Sequence, residues 1–264
     1  MTRLAGRSLE ACSCACLLFL CLAFSGCSEA PQLGTTATVQ VKEANSQDQL
    51  ACGTAIQGAA PFLRSGAVLL LGELHGTREA PAFVGKLACQ ATSADVSVRV
   101  GLEVDPGLQP FVDAFLWSDG LAQDRQQLTE GPFWSGRDGR SSLAMVALLD
   151  EVRRLKLLEM DVEAYLFDDP GNLSEARDVA MAQNILAHIK QGYPSVTSFD
   201  FSYSGGTAWV STAQGIGISK IGVADHGASP FIELFSENLQ TDYTGHYYVG
   251  AISASSPAQL GDGG

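Results

Sequence analysis

Hydrophobic and polar positions follow two regimes along this chain. Ala67-Val-Leu-Leu-Leu71 is a continuous apolar run that stops abruptly at Gly72-Glu-Leu-His-Gly-Thr77. Short aliphatic runs bounded by turn signals predict strands buried on both faces. Thr77 is then placed to cap a helix reaching about Ala91, with Phe83, Val84 and Leu87 as its apolar stripe. Val96 to Val104 predicts a second strand, ending in Glu103. Asp105-Pro106 opens another helix, since proline is tolerated in a first turn, and Phe111, Val112, Phe115 and Leu116 supply its core face. A glycine-rich loop over 131–140 follows, and Ser142 starts a helix with Leu148, Leu149, Val152 and Leu155 on one side. Met160 to Phe167 is a third strand that runs into Asp168-Asp169-Pro170; Ser174 caps the next helix, where Val179, Ala182, Leu186 and Ile189 keep a helical rhythm.

Strands alternating with helices predict an α/β fold with a mostly parallel sheet flanked by helices. Beyond Pro194 the pattern changes, and the segments 207–211, 216–224 and 246–252 predict a β-rich C-terminal part. Residues 49–264 are expected to form a single α/β domain. The preceding 27–48 segment, rich in Thr, Gln, Ser and charge without apolar periodicity, reads as a flexible tether.

The first 26 residues are of a different kind. Arg3 and Arg7 precede the apolar segment Cys16 to Phe24, and small residues Ser25-Gly26 lead to Cys27. An apolar core this short, with these flanks, predicts a cleaved secretion signal rather than a membrane span. The Leu22-Ala-Phe-Ser-Gly-Cys27 junction resembles a bacterial lipobox, with Phe24 where Leu is usual. That resemblance implies lipidation of Cys27, a lipid anchor in the membrane, and a place in the bacterial cell envelope on the periplasmic or cell-surface side. Cleavage nearby to give an ordinary secreted protein is the alternative.

Export changes the meaning of the cysteines. Cys12, Cys14, Cys16 and Cys21 leave with the signal and Cys27 carries lipid, so Cys52 and Cys89 remain. An oxidising compartment favours a disulfide between them; two independently buried thiols fit the sequence nearly as well. The formal net charge is −13 at pH 7 and no Lys or Arg cluster breaks it, so a nucleic-acid partner is not expected.

Candidate chemistry gathers where strands end. In open α/β sheets the carboxyl edge is where ligands are held, and there stand Glu73, His75 and Glu103. Glu73 and Glu103 end neighbouring strands of the predicted sheet, about 4.8 Å apart, so that two carboxylates and an imidazole are expected to converge. A carboxylate beside an imidazole favours its protonated form or fixes its tautomer. His75, oriented by Glu73 or Glu103, is then a general base for hydrolysis, with backbone amides around Gly76 and Thr77 available to an oxyanion. The plainer reading has the glutamates capping helices and His75 meeting a backbone carbonyl. Glu-x-His is not in itself a metal motif, although a third carboxylate would let it hold a divalent ion; no metal is assigned. Arg137, Arg140 and Arg177 are candidate substrate clamps, and Trp134, beside Phe133, is a candidate pocket wall. Asp138 and Asp178 read better as ion-pair partners, and His188, His226 and His246 as structural histidines.

The segments Leu71-Gly-Glu-Leu-His-Gly-Thr77, Gly101-Leu-Glu-Val104 and Ala176-Arg-Asp-Val-Ala-Met-Ala-Gln-Asn184, in that order, resemble the superfamily that joins erythromycin esterase-like enzymes, ChaN-like haem-binding lipoproteins and Tiki/TraB proteins. The resemblance spans about residues 60 to 190. It implies a site at the strand ends built on Glu73, His75 and Glu103, with His75 as base in the esterase-like branch. Members often carry a later strand ending in Gly-Asn-x-His, and no such segment stands between Lys190 and Phe199. Three functions follow as expectations. The first is metal-independent hydrolysis of an ester or related acyl small-molecule substrate, with no cofactor required. The second is carriage of haem or another small ligand, with Tyr165, Tyr203 and His246 as available axial ligands. The third is a degenerate, non-catalytic member of the family.

Overall fold

Each strand of the core divides its side chains between two layers. In β1 (Val68–Leu71) Leu69 and Leu71 join one apolar cluster while Leu70 joins another. In β3 (Val162–Leu166) Val162, Ala164 and Leu166 face the first cluster, and Tyr165, with Phe167 just beyond the strand, the second. This is the two-residue repeat of a strand buried on both sides. The computed structural model describes residues 52–190, 196–201, 218–224, 230–234 and 245–259. The signal, the tether, Cys27, Tyr203, His226 and the 207–211 strand expected above lie outside these residues.

The chain forms an α/β protein built on one seven-stranded mixed sheet, in the order β3-β2-β4-β1-β5-β7-β6. The remaining strands are β2 (Ser97–Leu102), β4 (Val196–Phe201), β5 (Ile218–Ala224), β6 (Phe231–Leu234) and β7 (Gly245–Tyr248). β1 pairs in parallel with β4 and β5, β2 with β3 and β4, and β5 with β7; β6 runs antiparallel to β7. Helix α1 (Glu79–Ser93), α2 (Gln109–Leu116) and α4 (Leu143–Leu157) bury their apolar stripes in the larger cluster. Helix α5 (Ser174–Lys190) sets Met181, Ala182 and Ile185 against Leu70, Tyr165 and Phe167. A short helix α3 (Ala122–Thr129), mostly polar and anchored by Leu128, was not expected from the sequence.

Two expectations about local structure change. Thr77 does not cap α1: the preceding residue is Arg78, and no side chain caps the helix. Thr77 is instead buried in a bridge to Ala254, where a remote segment covers it. Ser142 does cap α4, its hydroxyl accepting from the Met145 amide at 3.4 Å. The larger change concerns β4. It inserts between β1 and β2, so the ends of those two strands are second neighbours about 10 Å apart rather than adjacent.

The edge strand β3 is closed by one side chain. Gln109 donates to the Ala164 carbonyl at 3.0 Å and accepts from the Leu166 amide at 2.9 Å, standing in for the backbone of a further strand. Unpaired strand edges otherwise template association. At the other end of the chain described here, Cys52 and Cys89 are joined, with Cα atoms 5.5 Å apart and 37 residues of separation.

Two stability measurements check these contacts. Gln109→Ala is expected to lower the unfolding free energy by about 1–3 kcal/mol, because it leaves two edge groups unmet, read from the denaturant midpoint. Replacing both Cys52 and Cys89 by Ala is expected to cost about 3–4 kcal/mol, from the loop entropy returned to the unfolded chain.

Candidate functional site

The turn after β1 places Glu73 and His75 two residues apart. Glu73 is almost wholly buried, with 1% of its side chain exposed, whereas His75 keeps 33%. His75 Nδ1 and Glu73 Oε2 are 2.9 Å apart. The Glu73 hydrogen bond raises the imidazole pKa above its ordinary 6.5; burial opposes it, and the charges of Glu73 and Glu103 add to the rise while Arg140 subtracts. Tyr247 of β7, fully buried and stacked on Phe83 with centroids 4.6 Å apart, donates its hydroxyl to the Gly72 carbonyl at 2.7 Å. The turn carrying the pair is thereby fastened from a strand two places across the sheet.

Glu103, just past β2, belongs to a separate cluster. Its Oε1 accepts from Arg177 Nη2 at 2.6 Å and from Arg140 Nη1 at 3.3 Å. Asp168, at the end of β3, accepts from Arg140 Nη1 at 3.2 Å and from Arg177 Nε at 2.8 Å, and also takes the Asp169 amide at 2.7 Å. Both carboxylates are about 95% buried. Among the described residues Glu103 Oε2 has no hydrogen-bond partner. Burial raises the Glu103 pKa against the pull of Arg177 and Arg140.

The glycine-rich loop crosses in front of both groups. Arg140 reaches Asp138 through Nη2 at 2.7 Å, while its Nη1 serves the two buried carboxylates. Burial raises the Asp138 pKa, but the hydrogen bond and charge of Arg140 outweigh it, and the net shift is downward. Gly139, at φ +91°, lies so close to the β1 turn that a Cβ there would stand 2.5 Å from the Gly76 nitrogen. Only glycine fits both the backbone angle and the approach. The loop and the turn enclose a cleft of about 440 Å³ lined by His75, Gly76, Arg137, Asp138, Ser141 and Ser255 among others.

Several sequence expectations are corrected here. Glu73 and Glu103 do not form a like-charge pair on neighbouring strands, because β4 separates them; Glu73 meets His75, and Glu103 meets the arginines. Trp134 is no pocket wall: it is 2% exposed and packs edge-to-face on Phe133 in the core. The oxyanion amides are not open either, since the Thr77 amide donates to the Leu74 carbonyl at 3.3 Å and Gly139 packs over Gly76. Arg140 and Arg177 are engaged by carboxylates. Among the described residues nothing pairs with Arg137, which is exposed at the cleft. Asp178 enters no ion pair among the described residues. Tyr165 is buried and stacks on His188 at 4.1 Å, and neither it nor His246 lines the cleft.

Asp168 was missed as a site residue. Its signal was present, a carboxylate ending an apolar run as Glu103 does, but Asp168-Asp169-Pro170 also reads as an ordinary turn. Among the described residues no group of three or more His, Cys, Asp or Glu side chains could hold a metal ion, and no helix is long and apolar enough to cross a membrane.

No protein-family model and no curated protein matches the chain. Among solved structures it is similar to the type III effector HopBA1, at 12% identity and a TM-score of 0.48, over 70% of this chain and 88% of that one.

The contact between loop and turn is testable. Gly139→Ala is expected to lower stability by about 1–3 kcal/mol, since both the left-handed backbone and the clash with Gly76 must be relieved. Thermal unfolding reads the loss, and Gly131→Ala serves as the comparison, since its φ is −73° and a Cβ there would meet only a Leu108 methyl at 3.4 Å.

Proposed function

We propose that this chain is a hydrolase that uses His75 to activate water against an ester or related acyl substrate. The supporting observation is the hydrogen bond at 2.9 Å between His75 Nδ1 and the buried Glu73 carboxylate, at the wall of a cleft. Holding Nδ1 fixes the tautomer, so proton exchange with a molecule in the cleft falls to Nε2. Glu73 orients the ring and stabilises the imidazolium that forms when a water proton is taken.

The nucleophile in this reading is water rather than a serine. Ser141 donates to the Gly136 carbonyl at 2.7 Å, Ser142 caps α4, and the Ser255 hydroxyl accepts from the Ala144 amide at 3.0 Å. Each cleft hydroxyl is committed to backbone. Arg137 is the cation that would meet a developing oxyanion, since the Thr77 amide donates to the Leu74 carbonyl and Gly139 packs over Gly76. Arg140 and Arg177 act on the wall, tying the loop and α5 to Glu103 and Asp168.

The resemblance to erythromycin esterase-like proteins points to the same residues. The joined Cys52 and Cys89 support export to an oxidising compartment, in keeping with an envelope lipoprotein anchored through Cys27.

His75→Ala is expected to lower kcat by about 10²–10⁴-fold on a panel of chromogenic esters, and equal rates would remove His75 from the mechanism. The neutral imidazole is the active form, so the rate falls as pH drops through a pKa above 6.5. Glu73→Gln is expected to move that limb of the profile toward lower pH. The sign for stability is the reverse. A histidine whose folded pKa is raised contributes stability that is complete below its unfolded value and is lost as pH rises through the folded value.

A further inference from the structure

A second cleft, of about 680 Å³, opens between α1 and α4. Its volume lies within the range of small-molecule sites. Ala82 and Gly85 of α1 face Ala144, Ala147 and Leu148 of α4, and small side chains on both helices leave the space between them open. At Gly85 the helices pack closely enough that a Cβ would lie 3.2 Å from Glu151 Cγ. The Cys52–Cys89 disulfide closes one end, and Ser255 and Ser256 close the other. Ser255 is shared with the His75 cleft, so a single segment of chain divides the two.

The charges around this apolar space are one-sided. Arg78 and Lys86 line it, and among the described residues neither meets a carboxylate. Glu151, the one acidic side chain in the lining, is already taken by Arg154 through two contacts at 2.8 and 2.7 Å. In a protein of net charge −13, two cations without a carboxylate partner among the described residues, beside an apolar cleft, stand against the general balance. Arg78 precedes the first residue of α1 and Lys86 lies within it, and the eight steps from one to the other correspond to a rise of about 12 Å. The arrangement therefore combines an extended apolar trough with cationic positions along its rim.

We propose that the α1–α4 cleft binds a free alkyl-chain carboxylate, the chain lying against Ala82, Ala144, Ala147 and Leu148 and the carboxylate meeting Lys86 or Arg78. Apolar burial supplies affinity and the cations select the ionised head over a neutral one. This site does not depend on hydrolysis at His75 and stands or falls separately.

Calorimetric titration of the purified protein with dodecanoate, held below its micelle concentration, tests the proposal against dodecanol as the uncharged partner. Saturable binding with dodecanoate favoured over dodecanol is expected. Arg78→Glu with Lys86→Glu should abolish that preference. Ala147→Trp, at an exposed position of α4 where the fold tolerates bulk, should fill the trough and weaken both ligands by about tenfold or more. Absence of saturable binding, equal affinity for the two ligands, or an Ala147→Trp protein that binds like wild type would overturn it. So would binding to anionic vesicles without binding to monomeric dodecanoate.

Discussion

Three carboxylates are buried at one end of this sheet, and each has to be met by a hydrogen-bond donor. Glu73, Glu103 and Asp168 end or follow β1, β2 and β3, and water reaches little of any of them. An unpaired buried charge is costly, so the surrounding chain is constrained to deliver partners. His75 meets Glu73 from two residues away. Arg140 and Arg177 come from the glycine-rich loop and from α5 to meet Glu103 and Asp168. Pairs of this kind add little net stability, but they fix where the loop and helix must sit, because breaking one strands its partner.

That fixing produces the cleft. With Arg140 held at two strand ends, Gly139 is carried onto the turn of His75 and Gly76, and a cavity forms on the far side of the contact. The C-terminal segment completes it. Ser255 donates its amide to the Gly76 carbonyl, Ser256 accepts from the Leu143 amide and Ala258 donates to the Ser141 carbonyl, so the β1 turn and the start of α4 are stitched together. Ser253 holds Glu79 of α1 through both its amide and its hydroxyl. The walls of the site thus come from segments more than 170 residues apart, while its imidazole and carboxylate come from one turn.

Local chemistry was legible where the relevant contact is short in sequence. The apolar run before Glu73, the strands ending near Glu103 and Asp168, and the Ser142 cap all express backbone periodicity or a hydroxyl three residues from its amide. Legibility failed where a remote segment decides. Thr77 has the composition of a cap, yet Ala254 bridges to it. Trp134 sits among glycines and polar residues but turns into the core. Val196-Thr-Ser-Phe-Asp-Phe201 alternates too weakly to announce a central strand, and its insertion between β1 and β2 separates glutamates that strand order along the chain would make neighbours.

The sequence by itself determined which residues carry charge at the strand ends and that Glu73 and His75 share a turn, because side-chain identity and two-residue spacing are local properties. Only the tertiary structure decided which carboxylate meets which cation. That assignment depends on non-local strand pairing and on loops closing over the sheet, and neither leaves a periodic trace in the chain.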